Sequence, residues 1–395
     1  MNQYVLSVNA GSSSLKFRLY QMPKETVLLS GQFDGIHSDK MVFVAKHGTH
    51  TSKIQLANKD FEFAANFLLQ YMLNNKIVAN FEAINIVGHR VAHGGDKFDD
   101  AVTVTDSVLL GIDDLCSLAP LHNPNNLLCI KIFQNALPIA KQVAVFDTAF
   151  HRTMSNETYL YPLPYELYEK HRIRKFGFHG ISHQYVGIVL KEEYSERKNL
   201  KVINCHLGNG ASICAMLDGL SVDTSMGFTP LSGLMMGTRC GDIDPALPAY
   251  ISEVTGKGIQ AVVKMMNFES GVLGISQLSN DFRLIVDATK EGDLKAALAL
   301  KMFINRVVKF IGSYTAVLNG IDVLSFTGGI GENSDHIRSE VCKNLKYLGL
   351  ELDQKANKSN ASTISSALSK VVVQVINTDE ELMIARDSCR ITSSL

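Results

Sequence analysis

The chain has 395 residues, 46% hydrophobic and 19% charged, with a formal net charge of −1. That length is enough for two ordinary domains with their own buried cores, and so balanced a charge gives no electrostatic reason to bind nucleic acid or an anionic membrane surface. Seven cysteines without a C-x-x-C pair, no apolar run of about 18 residues, and a first stretch from Met1 to Val8 without basic residues or a cleavage site argue against a disulfide framework, a zinc site, a membrane span and a secretory signal; the expected compartment is the cytoplasm.

In chain order, Tyr4 to Val8 reads as a short strand, Ala10-Gly11-Ser12-Ser13-Ser14 breaks it, and Phe17 to Tyr20 returns. This is a hairpin with a small polar tip. Met41 to Ala45 is a further strand. Asp60 suits the N-cap of a helix with Phe63, Phe67 and Tyr71 on one stripe. Ala83 to Val87 runs into Gly88, and Gln142 to Phe146 runs into Asp147.

The plan starts again near residue 201. Val202 to His206 is a strand, Gly208 to Ser212 a small polar tip, and Ile213 to Leu217 the returning strand. Asp293 can cap a long helix with Ala296, Leu300, Phe303 and Val307 on one face, stopped by Gly320. Val323 to Phe326 is a strand ending at Gly328-Gly329, and the polar stretch 357–366 reads as a surface loop. Two α/β halves of one plan are expected, with ligands at the carboxyl ends of strands. A phosphate-binding G-x-x-x-x-G-K-[ST] loop and a helix-opening G-x-G-x-x-G are both missing from the sequence.

Three Gly/Ser-rich tips follow strands, at 9–14, 208–212 and 327–334. Each alone also suits a tight turn, but three of them suit a phosphate cleft, because backbone N–H groups can face an anion with no Cβ in the way. Lys16 stands just past the first tip. Arg90 lies between glycines in Gly88-His89-Arg90-Val91-Ala92-His93-Gly94-Gly95, and Arg239 in Gly237-Thr238-Arg239-Cys240-Gly241. Arginine captures carboxylate and phosphate in a bidentate fork, so two of them suit a substrate with more than one oxyanion. His179 occupies a similar setting in Gly177-Phe178-His179-Gly180. Asp147 ends an apolar strand, where it can anchor magnesium or cap a helix, and Glu380 and Glu381 can act likewise.

These motifs together resemble the acetate kinase family, which includes propionate kinases. The match runs from Val5-Leu6-Ser7-Val8-Asn9-Ala10-Gly11-Ser12-Ser13-Ser14-Leu15-Lys16 to Glu380-Glu381-Leu382-Met383-Ile384-Ala385-Arg386. Its most specific phrases are Met236-Gly237-Thr238-Arg239-Cys240-Gly241-Asp242-Ile243-Asp244-Pro245 and Phe326-Thr327-Gly328-Gly329-Ile330-Gly331-Glu332-Asn333.

The resemblance implies an α/β protein of the actin-like ATPase superfamily, with two ribonuclease-H-like domains around a nucleotide cleft. The first would comprise 1–146 completed by 382–395, the second 147–381. It also implies ATP and ADP as co-substrates, Mg2+ (or Mn2+), a short-chain carboxylate and a homodimer. Catalysis would fall to Arg90, Asp147, His179 and Arg239, and metal binding to Asn9 and Glu380. ATP would lie against Lys16, His206, Leu207, Gly208, Asn209 and Gly210, with Asp281, Phe282, Arg283, Gly329, Ile330, Gly331 and Asn333 around the nucleoside. Ala92, Leu121, Phe178 and Pro230 would hold the acyl methyl group. Acetate enzymes of the family usually carry Val where this chain has Ala92, which opens space for propionate. The expected reaction is direct in-line transfer from ATP to acetate, with propionate as the alternative. An actin-like filament or sensor protein would leave Arg90 and Arg239 without a purpose, and a sugar kinase of the same superfamily would respond to hexoses.

Overall fold

The computed structural model describes residues 3–38, 40–57 and 60–393. The chain forms two compact units, Met1–Phe150 with Asp379–Leu395, and His151–Thr378. The breaks at 150/151 and 378/379 put Asp147, Glu380 and Glu381 in the first unit, whereas boundaries at 146/147 and 381/382 would assign them to the second.

Among the described residues the first unit has eight strands: β1 (Gln3–Ala10), β2 (Ser14–Met22), β3 (Thr26–Asp34), β4 (Met41–His47), β5 (His50–Leu56), β6 (Ile84–Val91), β7 (Val102–Thr103) and β8 (Lys141–Phe146). They form one sheet in the order β5-β4-β3-β2-β1-β6-β8-β7. The hairpin β1/β2 is antiparallel, with Ala10 opposite Leu15 across the Gly11 tip. β6 joins β1 in parallel, and β8 joins β6 in parallel.

Asp60 caps the helix Phe61–Asn74, accepting from the Phe63 N–H. The fully buried stripe of that helix is Phe61, Ala64, Ala65, Leu68, Leu69 and Met72. Phe63, Phe67 and Tyr71, the stripe picked from sequence, are only partly buried at its edge; Phe67 and Tyr71 meet Phe43 edge-on. The small residues Ala64 and Ala65 let the helix approach the core closely, and the bulky aromatics pack at its rim. The helix Glu380–Ser393 also lies on this sheet. An ideal Cβ on Gly88 would fall 2.3 Å from Ser388 Oγ and 2.7 Å from Ile384 Cγ2, so β6 needs glycine there to admit it.

The second unit repeats the central order with β9 (Lys201–Leu207), β10 (Ala211–Leu217), β11 (Leu220–Thr224), β12 (Val323–Thr327) and β13 (Val372–Val375), arranged β11-β10-β9-β12-β13. In each unit a first strand has an antiparallel hairpin on one side and two parallel strands on the other. This is the duplication expected from the alternation of strands and polar tips. The helix Leu294–Val317 is capped by Asp293 as expected, and it buries Ala296, Leu300, Phe303 and Val307 in the core.

The stretch 357–366 is not simply a surface loop. Asn357 is buried, and it accepts from the fully buried Arg338 through both its side chain and its carbonyl. Ile364 is fully buried as well. Polar composition misled here because these polar groups are internal partners of a buried cation.

Candidate active site

Each unit carries one constellation of the expected residues. In the first, Asn9, Arg90 and Asp147 stand at the carboxyl ends of the neighbouring parallel strands β1, β6 and β8, the usual place for ligand contacts in open α/β sheets. Arg90 Nη2 donates to Asp147 Oδ2 at 2.8 Å, and Nη1 reaches Asn9 Oδ1 at 3.5 Å. Arg90 Nε is buried and has no hydrogen-bond partner among the described residues. Lys16 is exposed on β2, opposite Asn9 in the register.

Glu380 opens the C-terminal helix. Its carboxyl is pushed up to about 7 by burial and then by the Asp147 carboxylate; Glu381 adds to this, while Arg90 and Lys16 pull the other way. A carboxyl raised by neighbouring carboxylates is relieved by a cation. Asn9, Asp147 and Glu380 are a hard-oxygen set. Among the described residues no cluster of three or more His, Cys, Asp or Glu is placed to hold a metal ion. Two carboxylates and an amide oxygen fit the chemistry of Mg2+, which keeps several waters and takes one or two carboxylates plus substrate phosphates.

Ala92 is buried, at 2% exposure. Its N–H donates to Asn126 Oδ1 at 3.0 Å, and Asn126 Nδ2 donates to the Ala10 carbonyl at 2.8 Å. Asn123 pairs with both the N–H and the carbonyl of His93 at 3.0 Å. These two buried asparagines, three apart on the helix Asn123–Ala136, hold the 88–95 segment in place, and the sequence reading did not find them. The signal was available: polar side chains on the apolar face of a helix need partners. Leu121, expected in the acyl pocket, is half exposed just before that helix.

In the second unit the tip between β9 and β10 brings Gly210 to His179 and Arg239. An ideal Cβ on Gly210 would lie 3.5 Å from both Arg239 Nη1 and His179 Nε2. His179 takes the left-handed conformation at φ 55° just ahead of the helix Gly180–Glu193, and its ring stacks on His206 at 4.4 Å. Strain of this kind persists only where the surroundings enforce it, and it collects at functional sites. Gly237 carries the Arg239 loop against the tip: its N–H donates to the Asn209 carbonyl at 3.0 Å, and a Cβ there would overlap Asn209 Oδ1 at 1.7 Å. Arg239 has no carboxylate partner among the described residues. Its Nη1 reaches the Pro230 carbonyl at 3.3 Å and Met236 Sδ at 3.7 Å, and burial lowers its pKa. An unpaired, half-buried guanidinium is set for an anion. Phe178 is buried, and its carbonyl pairs with His151 Nε2.

Beside the same tip lies a cavity of about 830 Å3, within the range of small-ligand sites. Its lining includes seven expected residues, Asn209, Asp281, Phe282, Arg283, Gly329, Ile330 and Asn333. Asp281 caps the helix Phe282–Lys290 and pairs with Arg283. Val286, Asp287 and Lys290 also line the cavity; their spacing of three, four and seven residues from Arg283 on one helix could have shown this. Lys16, His206, Leu207, Gly208, Gly210 and Gly331 do not line it. Leu207 is wholly buried, so only its backbone can serve a ligand. Gly331 turns its carbonyl to Arg338.

A model of the acetokinase family matches residues 4–386. The chain is 49% identical over 390 residues to the acetate kinase of Bacillus cytotoxicus, covering 98% of each chain. It is 48% identical over 394 residues to that of Shouchella clausii, covering 98% of this chain and 99% of the other. Among solved structures it resembles a propionate kinase from Francisella tularensis, with TM-score 0.94, 41% identity, and 98% and 100% of the two chains covered. It also resembles the acetate kinase of Porphyromonas gingivalis, with TM-score 0.92, 40% identity, and 99% and 100% covered.

Proposed function

The chain belongs to the acetokinase family, and on that premise we propose that it transfers a phosphoryl group reversibly from ATP to acetate, giving acetyl phosphate and ADP. The observation that carries this reading is the arginine pair. Arg90 is held by Asp147 with a buried Nε to spare, and Arg239 has no carboxylate partner among the described residues. Two such groups match a reaction in which two anions must meet.

The acceptor carboxylate, with a pKa of roughly 4, is ionised at pH 7 and needs no general base. One of its oxygens attacks the γ-phosphorus in line. The bond from that phosphorus to the β–γ bridging oxygen breaks, and ADP leaves with the electron pair. Arg239 and Arg90 neutralise the equatorial oxygens, and His179 donates to one of them. No side chain is required as a covalent carrier. Asn9, Asp147 and Glu380 would hold magnesium, directly or through water; when bound, it neutralises the β and γ oxygens. The 830 Å3 cavity is read as the nucleoside site.

Propionate is the second reading, favoured by Ala92. Its buried side chain leaves out two methyl groups where the family's acetate enzymes usually carry Val. One methylene in an apolar pocket is worth roughly 1–3 kcal/mol of discrimination. A homodimer is also proposed. The successive helices Leu247–Thr255 and Ile259–Phe268 leave Tyr250, Val254, Ile259 and Phe268 exposed, an apolar face of the sort that a partner covers. The seven unpaired cysteines support a reducing cytoplasm. Acyl phosphate trapped as the hydroxamate, formed only with both MgATP and the carboxylate, tests the reaction. ATP turnover independent of any carboxylate would reject it.

A further inference from the structure

Behind His179 lies a row of buried polar side chains that the transfer itself does not use. Ser325 Oγ on β12 donates to Asn204 Oδ1 on β9 at 2.8 Å. Asn204 Nδ2 donates to His183 Nδ1 at 2.9 Å. A ring nitrogen that accepts carries no proton, so the proton of a neutral His183 is on Nε2. That nitrogen lies 2.8 Å from Ser212 Oγ on β10 and donates to it. Ser212 then has its own proton left to give, and His179 Nδ1 lies 2.9 Å away. With Nδ1 accepting, His179 carries its proton on Nε2, the nitrogen beside Gly210.

We propose that Asn204, His183 and Ser212 are positioning residues that fix the tautomer of His179, so that Nε2–H is presented to the transferring phosphoryl group. This rests on the reading of His179 as a donor to that group. Asn204, His183, Ser212 and Ser325 are all fully buried, so bulk water does not compete for the row. Burial also holds the His183 imidazole well below its ordinary range, and the neighbouring His151, His206 and His179 add to this. His183 therefore stays neutral, as the row requires. The sense of every bond is set at Asn204. Were its amide reversed, His183 and Ser212 would reverse too, and a lone pair on His179 Nε2 would face anionic oxygens.

The test is the protonation of His179 in the full chain labelled with 15N-histidine. The ring nitrogen shifts separate protonated from unprotonated sites, with His179→Gln for assignment. The expected result at pH 7 is a proton on Nε2 and none on Nδ1. Ser212→Ala should give a mixture of tautomers. Its kcat should fall about 10- to 100-fold, the cost known for losing the partner that orients a metal-bound imidazole, while KM for acetate and for ATP stays nearly unchanged. Asn204→Asp, whose carboxylate can only accept, should move the His179 proton to Nδ1. A wild-type His179 protonated on Nδ1, or on both nitrogens, overturns the proposal, and that spectrum decides even if neither variant folds. So does a Ser212→Ala protein with unchanged tautomer and kcat. A wild-type chain that makes no acyl phosphate overturns the reaction instead, and leaves the tautomer result standing.

Discussion

Removing Arg239 separates chemistry from folding more cleanly than removing Arg90. In Arg239→Ala the fold loses one hydrogen bond to the Pro230 carbonyl and a contact with Met236 Sδ, a net loss of about 0.5–1.5 kcal/mol. No carboxylate is left behind uncompensated. Arg90→Ala would strand Asp147, which is 1% exposed and held by that arginine at 2.8 Å. Breaking a buried pair from one side costs about 3–5 kcal/mol, so a dead Arg90→Ala enzyme could simply be an unfolded one. For Arg239→Ala the transition state loses a donor aimed at developing charge, which is worth roughly 100- to 1,000-fold in kcat. The assay is hydroxamate formation from acetate and MgATP, with thermal unfolding of the same sample as the check on the fold. A cooperative transition near that of the wild type, together with kcat lowered at least about 100-fold, is expected. Turnover within a few fold of the wild type would refute the role given to Arg239.

Ala92→Val should lower the ratio of kcat/KM for propionate over acetate by about 10- to 200-fold, at roughly 1–3 kcal/mol per methylene; the same hydroxamate assay reads it, and an unchanged ratio removes Ala92 from the acyl pocket. His89 is buried on β6, and burial lowers its imidazole to about 4 against an ordinary 6.5. Below about 6.5 the unfolded chain takes up a proton that the native imidazole refuses until about 4, so stability falls as pH drops through that window and is unaffected above it. The difference amounts to about 3 kcal/mol at 1.36 kcal/mol per pH unit; melting between pH 4.5 and 7 should show a shallower slope for His89→Leu than for the wild type. Gly88→Ala puts a Cβ 2.3 Å from Ser388 Oγ and should destabilise the first unit by about 1–3 kcal/mol, measured by denaturant unfolding. Tyr250→Asp with Val254→Asp should shift the sedimentation of a dimer toward the monomer without loss of helix signal.

The legible parts of this chain were those where local chemistry decides the structure. The Gly/Ser tips at 9–14 and 208–212 end strands wherever they occur, and they pair as the hairpins β1/β2 and β9/β10. Asp60 and Asp293 cap their helices because short acids have few better uses there. Less legible were features that depend on long-range partners. Asn123 and Asn126 look like an unremarkable polar helix start until the 88–95 segment is laid against them. Arg338 drew no reading from the sequence, and it is fully buried among the carbonyls of Gly331, Glu332 and Asn357. On Phe61–Asn74 the aromatic stripe of Phe63, Phe67 and Tyr71 packs at the rim of the core, while the neighbouring stripe with Ala64, Ala65 and Leu68 is the more deeply buried one. For the site, motif resemblance named the residues, and the fold shows which of them gather: Arg90 with Asp147 and Asn9, and His179 with Gly210 and Arg239.

The most direct test of the function is MgATP-dependent acyl phosphate formation by the purified wild-type chain, trapped with hydroxylamine, with acetate, propionate and butyrate compared by kcat/KM. Hydroxamate formation with acetate, strictly dependent on both substrates, is the predicted result, and a higher kcat/KM for propionate would make the second reading the correct one. Hydroxamate from none of the three carboxylates, with the protein folded and ATP bound, would contradict the assignment of Arg90, Arg239 and His179 to carboxylate phosphorylation.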